Sequence, residues 1–372
     1  MTTTQNESKS SSPENRVKTT KYSRTSIMDL KIAINFTWPS FRNVALDIQK
    51  ALEPYCNSVV LDWRDVKPGG NILFIETVRK DTLKFLKRLP SSNIVFYGTT
   101  EGHSLLDKES IELARNINVV AVSNFVKQML EEVGIPVAGV VHHGLDMYAT
   151  NVDSSFLQSL EERFRDRLVT LTLASNDPRK GLEELFRAYK LTESRVLNSF
   201  LVLHSEPKRY YDCEERRYRQ RHYDLPKLVA QLGLERTWLT NRYGLMTPEE
   251  VNALYKLCHI YVSSSLSEGF CLPILEAFRF NKPVIAVDAP PFNEVIEDGR
   301  TGKLIPYEKT QWYNHKNKIL FKMHVYKPQN LAEVMTELLN NRDLLERMKN
   351  QIMKKKHRWS IHAIYPRLLS YF

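Results

Sequence analysis

The feature that most constrains the fold of this chain is an alternation of short apolar runs with amphipathic stretches, and it runs twice. LKIAINF (30–36), SVVLDW (58–63), NILFIET (71–77), SNIVFYGTTEG (92–102), NVVAVSN (118–124) and VAGVVHHG (137–144) read as buried strands. Between them FRNVALDIQKALEPY, SLLDKESIELARNI and FVKQMLEEVG carry helical spacing, the last closing on Gly134 as a C-cap. After a polar stretch at 146–166 the pattern restarts with RLVTLTLAS (167–175). It continues through GLEELFRAYKLT, SFLVLHSE, a charged segment at 208–224, LPKLVAQLGL, RTWLTNRYG and TPEEVNALYKLC. Strands that alternate with helices build βαβ units on a mainly parallel sheet. Two such runs imply an α/β chain of two Rossmann-like, doubly wound domains facing each other, and 372 residues suffice for both.

Composition narrows the function. The N-terminal MTTTQNESKSSSPENRVKTTKYSRTS lacks the apolar stretch of a secretion signal and has little to bury, so residues 1–27 are expected to be a disordered polar tail. No apolar run approaches the ~18 residues of a membrane span. Four dispersed cysteines (Cys56, Cys213, Cys258 and Cys271) form no C-x-x-C pair, which fits a reducing cytoplasm. No cluster has metal-site spacing, and the adjacent His142 and His143 would point to opposite faces of a strand, so no metal site is expected. The formal charge of +10 is concentrated in residues 309–372, which hold thirteen Lys/Arg against four Asp/Glu and peak at KKKHRW (354–359). That run reads either as a solvated helix face or as a surface for anionic lipid headgroups or nucleic acid.

The chemistry concentrates in YVSSSLSEGFCLPILEAFRFNKPVIAVD (261–288). HIYVSSS is a strand, Pro273 suits the first turn of a helix, and VIAVD is the next strand. Glu268 therefore sits on a loop at the carboxyl end of a strand, and Glu276 is expected in the first helical turn. Ligands of open α/β sheets bind at that end, and loop amides with a helix N-terminus form an anion site. Two carboxylates beside an anion site suit a ligand that also carries hydroxyls, because carboxylates accept strong O–H hydrogen bonds. A nucleotide-sugar has both parts. The plainer alternatives are that Glu276 complements a helix dipole and that Glu268 begins a turn.

The wider segment, SEGFCLPILEAFRFNKPVIAVDAPPFNEVIEDGRTGKLI, resembles the donor-site signature of the retaining glycosyltransferases of the GT-B fold, family 4. In that pattern E-G-F-G-L-P-x-x-E-A precedes a Pro-led strand and a P-x-x-E-x-I-x-D-G-x-T-G-x-L hairpin. The resemblance assigns the donor to Glu268, Gly269, Phe270, Cys271, Leu272, Pro273 and Glu276, with Glu268 on the hexose and Glu276 on the ribose. Cys271 departs from the family, which often has Gly there. Its amide can face phosphate only if φ stays in a region open to non-Gly residues. NDPRKGLEELFRAY (176–189) resembles the family's basic segment, implying that Arg179 and Lys180 neutralise the donor diphosphate. YGLMTPEEVNALYKLC resembles the element that holds the base, through Tyr243 and Gly244. SNFVKQMLEEVG and VVHHGLD resemble the strand–helix–strand that closes the first domain.

The place of the family's acceptor-side loop is taken by FYGTTEGH, making Thr100, Glu101 and His103 candidates for acceptor contact or proton handling. The first loop, FTWPSFRN, has no Gly and offers Trp38 to a sugar or lipid. KHRWSIHAIYPRLLSYF resembles a last helix that returns to the first domain. The implied boundaries are 28–150 for the acceptor domain and 151–357 for the donor domain, with 358–372 packing back.

The resulting expectation is a cytoplasmic, metal-independent, retaining hexosyltransferase, or one peripheral to an anionic membrane. It would use no cofactor and take UDP- or GDP-hexose as donor and a glycan, lipid or protein as acceptor. Catalysis would rest on Arg179, Lys180, Glu268 and His103. No D-x-D triplet occurs, which agrees with that reading. Rival readings are a nucleotide-sugar epimerase, a phosphorylase with a pyridoxal lysine, and a basic module binding membrane or nucleic acid. Nucleic acid is the least favoured partner, since its support is charge alone.

Overall fold

The computed structural model describes residues 28–212, 217–220 and 222–372; the tail expected at 1–27 and Cys213 lie outside the described residues. In the first half, strands β1 (Met28–Ile34), β2 (Cys56–Asp62), β3 (Gly70–Thr77), β4 (Ser92–Thr99), β6 (Asn118–Ala121) and β7 (Gly139–Val140) form one sheet. β5 (Gly102–Ser104) stands outside it. The order is β2-β1-β3-β4-β6-β7, parallel throughout. Parallel sheets are covered on both faces, and Ile72 to Ile75 in β3 and Val95 to Tyr97 in β4 are accordingly buried as continuous runs.

The second half repeats the plan with β8 (Leu168–Leu173), β9 (Ser199–His204), β12 (Thr237–Leu239), β13 (Ile260–Val262), β14 (Val284–Val287) and β15 (Gly302–Ile305). Their order is β12-β9-β8-β13-β14-β15, again parallel. The charged segment at 208–224 contains the antiparallel pair β10 (Arg209–Asp212) and β11 (Arg217–Gln220). The hairpin expected after Pro291 is instead a short helix, Phe292–Val295, and a turn that returns the chain to β15, parallel to β14. The helices start on local caps: Asp107, Ser123, Asp153 and Asp224 each accept an N–H of the first turn, and Thr247 with Glu250 closes a capping box.

A third sheet joins the halves. β16 (Lys309–His315) and β17 (Ile319–Val325) form an antiparallel hairpin, and β17 pairs on its other edge with β5 of the first half. Gly102 is required there, since a Cβ would lie 1.9 Å from the Leu320 carbonyl oxygen. Part of the basic region thus becomes a strand pair between the halves, which the sequence reading left unassigned.

The C-terminal segment is a broken chain of short turns, 356–359, 361–364 and 365–371, rather than one helix. It returns to the first sheet: Asn118 Nδ2 donates to the Tyr371 carbonyl at 2.7 Å, and Tyr365 Oη to that of Gly144 at 3.0 Å. Within KKKHRW, Lys355 and Arg358 both pair with Glu297, and Lys356 Nζ donates to the Arg279 carbonyl at 2.8 Å. Much of that run is therefore spent inside the molecule and is not a uniformly solvated face. No helix among the described residues is long and apolar enough to cross a membrane.

Candidate active site

The site is built where the carboxyl ends of β8, β9, β12 and β13 meet. After β8 the chain enters a 3-10 turn, Pro178–Lys180, capped by Asp177. Two contacts zip this turn to the loop after β13. Leu266 N donates to the Arg179 carbonyl at 2.7 Å, and Ser264 Oγ to that of Lys180 at 2.7 Å. The fold thereby brings residues 179 and 268 together, although 89 positions separate them in sequence.

Glu268 is the centre of the cluster, with 8% of its side chain exposed. Its Oε2 accepts from Arg179 Nη1 at 2.8 Å, and its Oε1 accepts from Lys180 Nζ and from Ser265 Oγ at 2.7 Å. Burial alone would raise its pKa, but the Lys180 and Arg179 charges outweigh burial and hold it at about 2. Arg179 also donates to the Ser267 carbonyl at 3.1 Å and faces Glu101 Oε1 at 3.3 Å and Asp177 at 3.9 Å. Burial opposes its charge, but the Glu268, Glu101 and Asp177 carboxylates raise its pKa further. Its guanidinium lies 5.6 Å from the centroid of the Phe321 ring in β17.

Glu276 belongs to helix Leu272–Arg279 but is its fifth residue, beyond the first turn where it was expected. A simple dipole role is thereby removed. Its Oε2 accepts from Tyr255 Oη at 2.6 Å instead. Cys271 precedes the helix with φ +77, in the left-handed region. The condition set for its amide to face phosphate, a φ in a region open to non-Gly residues, is not met, and the conformation costs about 1–2 kcal/mol for a residue with a Cβ. Its thiol is buried, bonded to Ser263 Oγ at 3.4 Å and pushed up to about 12 by that burial, so it is no nucleophile.

Gly269 is a second close approach of the halves: a Cβ there would stand 2.1 Å from Thr99 Oγ1 and 3.1 Å from the Thr100 carbonyl oxygen. Ser123 Oγ, the cap of helix Asn124–Glu132, donates to the Gly269 carbonyl at 2.7 Å. The Phe270 ring turns away from the cluster, packing between His143 at 5.2 Å and Trp359 at 6.3 Å. Leu272 and Pro273 are half-buried in the first helical turn. Tyr243 stands against His204, the last residue of β9, at 5.3 Å, with Gly244 beside it at φ +72.

The acceptor-side candidates separate. Glu101 joins the Arg179–Glu268 cluster through Arg179, and its carbonyl is pinned by Ser267 Oγ at 2.7 Å. Thr100 is fully buried, its hydroxyl donating to the Gly102 carbonyl at 2.8 Å, so it is a turn residue and not an open contact. His103 is held by Glu132 at 2.5 Å and by the Trp312 ring at 4.5 Å, away from the Arg179–Glu268 contacts. Trp38 is 50% exposed at the start of helix Pro39–Leu52. His142 and His143 share no ligand position: His142 meets Glu294 at 3.0 Å and His143 meets Tyr97 Oη at 3.1 Å. Among the described residues, no three His, Cys, Asp or Glu are grouped to hold a metal ion.

Two carboxylates escaped the sequence reading. Glu294 accepts the first amides of helix Asn124–Glu132, Asn124 N at 2.8 Å and Phe125 N at 2.9 Å, and so caps a first-half helix from the second half. Glu76 is the penultimate residue of β3 and is 1% exposed. Its Oε1 accepts from Thr77 N at 2.8 Å, while its Oε2 has no hydrogen-bond partner. Burial pushes this carboxyl up, against the Thr77 amide and Arg79. The available signal was an acid near the end of an otherwise apolar strand, NILFIET.

A family model described as glycosyl transferases group 1 matches residues 158–355. The serotype-specific mannosyltransferase WbdA of Escherichia coli is 30% identical over 192 residues, covering 50% of this chain; the chain spans 22% of that protein's own length. The lipopolysaccharide 1,2-N-acetylglucosaminetransferase of Salmonella typhimurium is 22% identical over 77% of this chain and 66% of its own. Among solved structures, Anabaena HepE in complex with UDP-glucose superposes with a TM-score of 0.67 at 16% identity, over 93% of this chain and 100% of that one. That likeness shows the fold, the two Rossmann-like domains of the GT-B architecture.

Proposed function

The chain belongs to the glycosyl transferases group 1 family, and from that premise we propose that it is a retaining, family 4 hexosyltransferase using a nucleotide-sugar. The support is the mannosyl- and N-acetylglucosaminyltransferase relatives, and a structural neighbour solved with UDP-glucose. The observation that carries the reading is the convergence of Arg179 and Lys180 on Glu268, beside the turn that opens helix Leu272–Arg279.

In this reading the donor diphosphate lies along Arg179 and Lys180. As the bond from the anomeric carbon to phosphate breaks, negative charge grows on the departing nucleoside diphosphate, and the two preset cations stabilise it. They supply the electrostatic role that a divalent ion plays elsewhere, so no metal is required. Glu268 already accepts three hydrogen bonds. A carboxylate has about four acceptor positions, which leaves one for a hexose hydroxyl. Glu276, oriented by Tyr255, takes the ribose, and the backbone around Tyr243 and Gly244 takes the base. Glu101 serves as the counter-ion of Arg179 until the diphosphate replaces it, and a side-chain rotation releases it. The acceptor oxygen attacks from the face the phosphate leaves, forming the new bond to the anomeric carbon and passing its proton to a phosphate oxygen. Residues 28–150 carry the acceptor and 151–357 the donor in a chain acting in the cytoplasm, where nucleotide-sugars are made.

Thermal unfolding with UDP-, GDP- and ADP-hexoses tests this directly. A donor at a hundredfold over its Kd adds ~2.7 kcal/mol of stability. No shift with any of them, together with no transfer or hydrolysis of the sugar, would remove the donor assignment.

A further inference from the structure

Glu76 is a buried carboxylate that the donor site does not use. It is the penultimate residue of β3, the strand between β1 and β4 in the first sheet, at the carboxyl edge where open α/β sheets bind ligands. One oxygen is occupied by the Thr77 amide at 2.8 Å and lies 3.8 Å from Arg79 Nη2; the other is buried and unpartnered. The neighbouring strands carry the rest of a site. Asn35, just past β1, brings its side chain to this carboxylate and begins the turn that presents Trp38. β4 ends at Thr99, the residue that Gly269 of the donor loop approaches most closely. A lone pair held out of water without a donor is costly, and buried polar atoms that lack partners mark places where a ligand or water belongs.

We infer that Glu76, with Asn35 and Trp38, forms the acceptor subsite and that its ligand is a saccharide hydroxyl group. This rests on the glycosyltransferase reading above. The chemistry selects the class. A lone carboxylate oxygen needs an O–H or N–H donor, which a lipid tail does not offer. Trp38, 50% exposed on the adjoining turn, supplies the flat apolar face on which a sugar ring packs. Arg79 already supplies the local cation, so the ligand need not be charged. Glu76 acts here as a positioning group for the incoming hydroxyl, with no bond made to it.

The test uses the full chain and a panel of methyl hexopyranosides, read by saturation-transfer NMR with saturating UDP or GDP. Nucleotide binding is followed separately by thermal shift. At least one glycoside is expected to bind the native protein. Glu76→Gln keeps the shape but turns an N–H toward the acceptor hydroxyl, because the Thr77 amide retains the amide oxygen. It should weaken glycoside binding at least tenfold and leave the nucleotide shift unchanged. Trp38→Ala, at an exposed position that does not threaten folding, should weaken glycoside binding in the same assay. Undiminished glycoside binding in either variant, or a nucleotide shift without any glycoside binding to native protein, overturns the inference and leaves the donor reading standing. Parallel loss of nucleotide binding in Glu76→Gln overturns it as well, by making Glu76 a scaffold of the whole site. Absence of any nucleotide shift in the native protein strikes the donor reading instead.

Discussion

Replacing Glu268 by Gln keeps the shape of the side chain and one acceptor oxygen but removes the charge that faces Arg179 and Lys180. The native carboxyl has an ordinary value of 4.5 and is held at about 2 in the fold, an offset of about 2.5. At about 1.36 kcal/mol per unit, the ionised form contributes roughly 3 kcal/mol of stability near neutrality. The folded value is depressed, so this contribution is complete above the unfolded value of 4.5 and disappears as pH falls through 2. Roughly 1 kcal/mol of it remains at pH 3. The pair is nearly closed to solvent, so screening discounts little. The loss also leaves Arg179 facing only Glu101 and Asp177 and takes from Lys180 its Glu268 partner, in line with the ~3–5 kcal/mol seen when one partner of a buried pair is removed. Urea unfolding of native protein and Glu268→Gln at pH 7, 5 and 3 measures the gap directly. It should be about 3 kcal/mol at pH 7, nearly the same at pH 5 and less than half of that at pH 3. Equal stabilities at pH 7, or a gap that does not shrink between pH 5 and 3, would refute the claim that the carboxylate charge is held by the cation pair.

Three further outcomes bear on the chemistry. Arg179→Ala with Lys180→Ala should lower turnover by at least a hundredfold, as expected when fixed charge is withdrawn from a leaving group; near-normal single-turnover rates would take both out of the mechanism. Glu276→Ala should weaken binding of the nucleotide-sugar about tenfold while circular dichroism stays native, and calorimetry with an unchanged Kd would end its ribose role. Activity should survive EDTA, and restoration of a lost rate by Mn²⁺ or Mg²⁺ alone would contradict a metal-free diphosphate site.

The two parallel sheets were legible because a strand buried on both faces must read as an unbroken apolar run, as NILFIET and SNIVFYG do. The loop around Glu268 was legible because its residues lie within one short segment. Family resemblance assigned Arg179, Lys180 and Glu268 to one donor, but their direct pairing across 89 and 88 positions was not foreseen, since no local periodicity encodes it. What remained hidden depends on hydrogen bonds and ion pairs that no sequence periodicity encodes. Thr100 and Glu101 are neighbours in one loop, yet one hydroxyl folds back on Gly102 and one carboxylate crosses to Arg179. The left-handed backbone of Cys271 was invisible because its side chain argues against it. Glu294 looked like part of a turn, and only the assembled halves reveal it as the cap of a distant helix.

The pairing of β17 with β5 turns one rim of the crevice into continuous main-chain ladder, extended by Leu105 N on the Lys318 carbonyl at 2.9 Å and Lys322 N on that of Glu101 at 3.1 Å. Such a seam bends more readily than it parts, since parting it strips several amides of their partners at once. A motion of the two lobes that keeps this seam would pivot about it, like a book about its spine, and would first have to release the Ser123–Gly269 and Glu294 contacts. Substrates would come and go by the fore-edge.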